Sequence, residues 1–533
     1  MKTRTRTDVL LLVAFSGFLF FYGLGAFGLL GADEPRYAQV AREMLDRHDW
    51  ITPTLQGKPW LEKPVLYYWQ AMAAYSIVGV TDQAARLPAA LDAALMIAAI
   101  YFFLRRFRPG SEIDGALIAA GCAATIGFAR GASTDMPLAS MLTIALLGWY
   151  AWYETRKRPL LFVFYGFLAL STLAKGPVAI FFAGVILLLF LAMKGEWKSI
   201  LESLWVPGIA LFLAVALPWY VLVQVRNPEF FRVFILQHNL GRFGQDLYHH
   251  RQPFWFYLPV LLLALMPWTL WLILAVAERL RLLWSERSES FATPEDSWQF
   301  FLLIWMLVPV LFFSVSQSKL PGYILPSVPA AALLVTEYLR TLPARSERLS
   351  PWLIGIHAVL CGLLVFAAIA APDIQLHHRL TIGTGTFIAA GISVFVVIAI
   401  AVALYRYGGR MLRPATLLPL VIAVAALLKI AAPAVDAAQS ARPVAQIIQS
   451  FSHETVPVAL FHTSRQLEYG LEFYLNRPVE RYEIGQVPND GHVLVILQNS
   501  TDDYGNLVRG RKVSFLTSLP EQKLSLYWVA PAN

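Results

Sequence analysis

Cysteine is nearly absent from this chain. Only Cys122 and Cys361 occur among 533 residues, and both fall inside apolar runs. No CxxC spacing and no Cys/His cluster is present, which excludes a disulfide framework and a thiolate metal site. Charge is scarce as well: Asp, Glu, Lys and Arg make up 15% of the residues, against roughly 25% in an ordinary soluble domain. Internal repeats and low-complexity stretches are missing. The net charge of +8 does not signal nucleic acid, because the Lys and Arg residues sit in short clusters between apolar runs, where they orient a membrane protein.

What the sequence does have is apolar length. Hydrophobic residues make up 57% of it, gathered in runs of about 16–24, roughly the length that crosses a hydrocarbon core about 30 Å thick. Thirteen candidate spans stand at about 9–30, 84–104, 114–129, 136–154, 159–174, 177–193, 203–223, 254–277, 298–316, 321–338, 351–371, 381–404 and 414–432. The first follows Lys2, Arg4 and Arg6 but is too long for a signal-peptide core and lacks a clear small-residue cleavage site, so it is expected to be retained.

With the N-terminus in the cytoplasm, alternation gives that side Lys2/Arg4/Arg6, Arg105/Arg106/Arg108, Arg156/Lys157/Arg158, Lys194/Lys198, Arg279/Arg281/Arg287, Arg340/Arg345/Arg348 and Arg406/Arg410/Arg413. All seven cytoplasmic segments obey the positive-inside pattern. Residues 1–432 then form the transmembrane domain, with long outer loops at 31–83 and 224–253. Residues 433–533 form a tail on the outer side. There the apolar runs shorten to strand length at Val456–Phe461 and His492–Leu497, Ser464–Leu475 reads as a helix, and Lys523–Val529 reads as a last strand. The expected fold is a polytopic α-helical membrane protein with a small C-terminal α/β domain outside the cytoplasm.

Ionisable residues gather on the outer side. Asp33, Glu34 and Arg36 follow the first span directly, and Pro35 suits the start of a helix. Glu62 and Lys63 lie in the same loop. Asp135 and Lys175 lie in short outer turns, His238, Arg242, His249, His250 and Arg251 in the second long loop, and Lys319 and Tyr323 in the turn SKLPGY. For each feature alone a bland reading exists: a solvated cap for the acid pair, an aromatic belt for Tyr67, Tyr68, Trp69 and Tyr75. Charge at membrane depth, however, costs about 2.5–3.5 kcal/mol at a helix centre. Ionisable groups on several separate outer connections therefore point to one polar cavity at the outer boundary. Its cations suit a phosphate, and its carboxylates suit hydroxyl or amine groups or a general base. A sugar linked to a lipid phosphate combines these features.

The segments DEPRYAQVAREML (33–45), DWITP (49–53), EKPVLYYW (62–69), ARGASTDMP (129–137), LAKGP (173–177), HNLGRF (238–243) and SKLPGYILPSVP (318–329) make the chain resemble the GT-C class of membrane glycosyltransferases. Within that class it resembles the aminoarabinose transferases of lipid A and the related protein O-mannosyltransferases. The resemblance implies inverting transfer of a sugar from a polyprenyl phosphate donor, with no nucleotide cofactor, to lipid A or another envelope glycan or protein. It places the enzyme in the bacterial inner membrane, among membrane lipid, with its site facing the periplasm. Asp33 and Asp135 then correspond to catalytic carboxylates, and Lys63, Arg242, Tyr323 and Lys319 to donor-phosphate ligands. Glu34, Arg36 and Lys175 become cavity residues, and Glu62 with His238 the pair near a divalent metal such as zinc, with His249 as a competitor. Pro35 stands where the lipid A enzymes commonly carry Thr, which leaves the acceptor open. A lipid-linked sugar transporter is the reading from another class; it calls for polar residues near the midplane of repeated halves.

Overall fold

The computed structural model describes residues 2–241, 252–285, 293–341, 349–377, 383–451, 456–498, 508 and 510–532. Arg242 and His249 lie outside these residues, as do His250, Arg251, Arg287, Arg345 and Arg348. Helices dominate up to Gln439, and a five-stranded sheet follows. Among the described residues, six helices are long and apolar enough to cross a membrane, or eight if each of two bent pairs counts as one span. The expected count of thirteen is not confirmed: several of the apolar runs are short or bent, and the last two expected spans fall within one 56-residue stretch, Thr384–Gln439. Pro159–Lys175 and Val178–Lys194 are apolar but shorter. The expected third span divides into Glu112–Ala120 and Ala123–Ala129, bent by 64°. The eighth divides into Phe254–Ala264 and Thr269–Leu282, bent by 118°. Pro267 lies in that second break, where a missing N–H and a ring in the path of the helix stop it continuing. The first span leaves regular helix at Ser16, continues as a π-helical turn over Gly17–Phe21, and then turns.

The basic clusters lie at one set of helix ends, where they bind neighbouring helices. Arg108 meets Glu154 at 2.6 Å, Arg156 meets Glu202 at 2.9 Å, and Arg279 meets Asp296 at 2.9 Å. Asp135 begins the helix Asp135–Thr155, and Arg156 follows its other end. At about 1.5 Å per residue the two are roughly 30 Å apart, a membrane's hydrophobic thickness. Asp135 therefore sits at the end opposite the basic clusters.

The helical run Leu412–Ala426, Leu427–Ala431, Ala432–Gln439 passes through the expected domain boundary at 432. The C-terminal unit has its own first element only at Arg442–Phe451. Its sheet places Glu480–Arg481, Val458–Phe461, His492–Leu497, Leu524–Val529 and Val513–Leu519 side by side in that order. The first three strands run parallel, and the last two are antiparallel to their neighbours. Arg465–Leu475 is a helix whose Ser464 hydroxyl caps Leu467 N. The strand Val513–Leu519 has no counterpart in the sequence reading. Its side chains are mostly half-exposed, so it carries little apolar signal.

Candidate active site

The first outer loop is built around the helix Asp33–Asp46, whose apolar side packs inward through Tyr37, Ala38, Val40, Ala41 and Met44. Two buried arginines fix the chain that leads into it. Arg130 donates to the carbonyls of Leu19, Tyr22 and Gly23 at 2.9–3.0 Å. Arg86 donates to those of Leu24, Phe27 and Gly28, each at 2.8 Å, and to Glu34 at 2.7 Å. These bonds satisfy carbonyls that the irregular turn after the first span leaves without helical partners. Glu34 also accepts from Leu30 N at 2.8 Å and from Ala132 N at 2.9 Å. Expected to be a cavity residue, Glu34 is a tie between the loop, the helix Asp82–Phe107 and the turn before Asp135. Tyr67 and Tyr75 do not follow the bland reading of an aromatic belt: they are buried and donate to Ala85 O at 2.9 Å and Ala38 O at 3.2 Å. Tyr68 is buried beside them.

Asp33 is half exposed and pairs with Arg36, one helical turn on. The Arg36 guanidinium lies over the rings of Tyr37 and Trp60, each at 5.1 Å, and of Tyr469 from the C-terminal domain at 5.7 Å. Burial works against its charge, but Tyr37, Asp33 and Glu62 outweigh this and hold it firmly protonated. Asp135 accepts a hydrogen bond from Lys175, whose ammonium lies 5.1 Å from the ring centre of Tyr323. Gly322 permits the close approach of the turn carrying Tyr323: a Cβ there would meet Phe128 Cζ at 2.8 Å and Asp135 Cγ at 3.3 Å. Tyr37 joins the two halves. Its hydroxyl is pushed well above its ordinary range, first by burial and then by Asp33, with Asp135 adding to the effect.

Glu62 and His238 approach to 3.7 Å. Gly176, at φ +93°, lets the His238 segment pack there, since a Cβ would lie 2.5 Å from Phe234 Cζ. A catalytic zinc takes three protein ligands and a structural one four. Among the described residues no group of three or more His, Cys, Asp and Glu could hold a metal. His249, the competing third candidate, lies outside the described residues. Lys63 is half buried in the same loop and has an interaction partner. Lys319 is buried and donates to Ser316 O through one of the three N–H donors of its ammonium.

A hairpin, Thr54–Leu55 with Lys58–Pro59, leads the chain to Trp60, Glu62 and Lys63. Gln56 and Gly57 turn it with positive φ. Glu43 secures its tip, accepting from Thr54 Oγ1 at 2.7 Å and Gln56 N at 2.8 Å. Gln56 Nε2 in turn donates to Glu472 of the C-terminal domain. Burial pushes the Glu472 carboxyl from 4.5 up to about 8. A carboxyl raised in the folded state contributes stability that is full below its unfolded value and is lost as pH rises through the folded one. Between pH 4.5 and about 8, the Tm of the parent should fall relative to that of Glu472→Gln, and the two should agree at the acid end. Parallel Tm curves across that range would show that Glu472 does not titrate there.

With this geometry established, comparison with known proteins is decisive. The chain is 31% identical over 409 residues to the undecaprenyl phosphate-alpha-4-amino-4-deoxy-L-arabinose arabinosyl transferase of Pectobacterium atrosepticum, covering 74% of this chain and 70% of that protein. It belongs to the family of these arabinosyl transferases. Family membership extends to the Pseudomonas aeruginosa member, 31% identical over 339 residues; that match covers 62% of this chain but only 59% of the relative's length. A family model described as dolichyl-phosphate-mannose-protein mannosyltransferase matches residues 62–221. In structure, ArnT from Cupriavidus metallidurans bound to undecaprenyl phosphate superposes with a TM-score of 0.77 at 22% identity, covering 98% of this chain and 97% of that one. An Archaeoglobus fulgidus oligosaccharyltransferase complexed with zinc and sulfate gives 0.51 at 12% identity, covering 98% and 73%. The fold of the arabinosyl transferase family member described here is thus the GT-C membrane fold expected from its sequence.

Proposed function

We propose that the chain is an inverting glycosyltransferase of the bacterial inner membrane, taking a sugar from a polyprenyl phosphate donor to lipid A or another envelope acceptor. One observation carries this reading. Asp33 and Asp135 come from different parts of the chain, each begins a helix and pairs with a cation, and Asp135 lies at the end of its helix away from the basic clusters. In this reading the basic ends face the cytoplasm and the carboxylates face the periplasm. The polar groups lie at helix ends rather than at the midplane, which favours an enzyme over a transporter.

In the reaction an acceptor oxygen forms a bond to the sugar's anomeric carbon while the bond to the lipid-phosphate oxygen breaks. The phosphate leaves with the electron pair. Lys63, Arg242 and the hydroxyl of Tyr323 offset the charge that grows on it. Lys175 holds Asp135 in place, and Arg36 holds Asp33. A phosphate acceptor is already a nucleophile near neutral pH. A hydroxyl acceptor gives its proton to Asp33. The mannosyltransferase family match over residues 62–221 favours a protein hydroxyl as the second acceptor to test.

Lys63→Ala should weaken donor binding by about 1.5–3 kcal/mol, the contribution of a charge-assisted hydrogen bond, and Arg242→Ala should behave alike. Titration of the purified protein with a polyprenyl phosphate-linked sugar measures this. Unchanged donor affinity in both folded variants would remove the phosphate site. Turnover of donor with lipid A, but not with peptide, would decide between the acceptors.

A further inference from the structure

At the basic end of the bundle, opposite Asp33 and Asp135, a cavity of about 490 Å³ opens between helices. Its mouth carries Arg340, Arg410 and Arg413 against a single carboxylate, Asp114. Its inner wall is apolar, with Leu117, Ile118, Leu339 and Leu417 among the lining residues. Trp268 also lines it and is 2% exposed.

The charges at the mouth are only partly neutralised. Arg413 Nε donates to Asp114 at 2.6 Å, and Arg340 meets Glu337 at 3.1 Å. A guanidinium has five N–H donors, so both retain capacity beyond these pairs. Arg410 is exposed and forms no ion pair among the described residues. A cationic mouth at one membrane boundary and an apolar wall behind it match one kind of molecule. A phosphodiester would sit on the arginines and an acyl chain along the leucines and the ring of Trp268. Basic clefts between helices on the cytoplasmic side are suited to such headgroups.

We infer that this cavity binds an anionic phospholipid, with its headgroup on Arg340, Arg410 and Arg413 and an acyl chain directed toward Trp268. The site is separate from the one that carries the proposed transfer and does not depend on it. Native mass spectrometry of the full chain, loaded with dioleoylphosphatidylglycerol or dioleoylphosphatidylcholine, tests it. The anionic phosphatidylglycerol should be retained in preference to the zwitterionic phosphatidylcholine. Arg410→Gln, an exposed change with little folding risk, should weaken retention about fivefold, and Arg410→Gln with Arg413→Gln about thirtyfold. Phosphatidylglycerol carrying brominated acyl chains should quench a component of the tryptophan fluorescence that Trp268→Phe lacks. Equal retention of both lipids, an Arg410→Gln variant that holds the lipid as the parent does, or quenching unchanged by Trp268→Phe would each overturn the site. Complete displacement of the lipid by inorganic phosphate would replace it with a simple anion site and would equally overturn the proposal.

Discussion

Asp33→Asn should fold and hold donor normally, yet transfer sugar more slowly by a factor on the order of 10² or more, the lower range for loss of a general base. Asn keeps the shape and size of the side chain while removing both its charge and its ability to take a proton. The fold gives little reason for a stability penalty. Asp33 is 55% exposed and Arg36 14%, so water reaches the carboxylate side of the pair and its loss costs on the order of 1 kcal/mol. The competing view is that Asp33 merely favours the start of its helix. That role is worth about 0.3–1 kcal/mol and leaves the rate per folded molecule near that of the parent. Single-turnover transfer, normalised to folded protein, separates the two. A rate within a few-fold of the parent would take Asp33 out of the chemistry and leave Asp135 as the carboxylate to examine.

Arg86→Met should act on the fold rather than on the chemistry. Arg86 is 1% exposed and ties Glu34 to three backbone carbonyls. Removing one partner of a buried pair leaves the other charge uncompensated, at a cost of about 3–5 kcal/mol. Met fills similar volume without replacing any of these bonds. The expected result is a sharp loss of folded protein and a lower Tm, with unchanged donor affinity in the fraction that remains folded. Arg86→Met combined with Glu34→Leu removes both charges and should recover part of the stability. If Arg86→Met unfolds no more readily than the parent, then the turn after the first span is held by Arg130 and by the tail, not by Arg86.

The contrast between these residues explains what the sequence disclosed. Asp33, Asp135 and Lys175 stand at the ends of long apolar runs, so topology alone could bring them to one side. Charge clusters likewise marked the opposite ends. Glu34, by contrast, is Asp33's neighbour in sequence but points into a different environment, and helix periodicity says nothing about a partner 52 residues away. Arg86 did leave a signal: an arginine within an apolar run is expensive unless it is satisfied. Trp60 and Tyr469 left none, since their meeting over Arg36 depends on how the C-terminal domain sits on the first loop. The break near Gly121 was hidden because hydropathy registers apolar length and is blind to direction, whereas Pro267 was a legible helix breaker passed over inside a long apolar run. The half-exposed strand Val513–Leu519 was missed for lack of alternation.

The attachment of the C-terminal domain has a consequence for how the protein is made. Arg42 in the first loop donates to Phe473 O across 431 residues of chain, Leu29 N donates to the hydroxyl of Tyr474, and that hydroxyl donates in turn to Asp82. One wall around Arg36 is thus supplied by a segment that the ribosome delivers only after the helices before it have been threaded into the bilayer. A nascent chain cannot complete the wall early, and one whose tail is left on the wrong side cannot complete it at all. If the tail crosses the membrane as proposed, the wall around Arg36 can close only after its translocation.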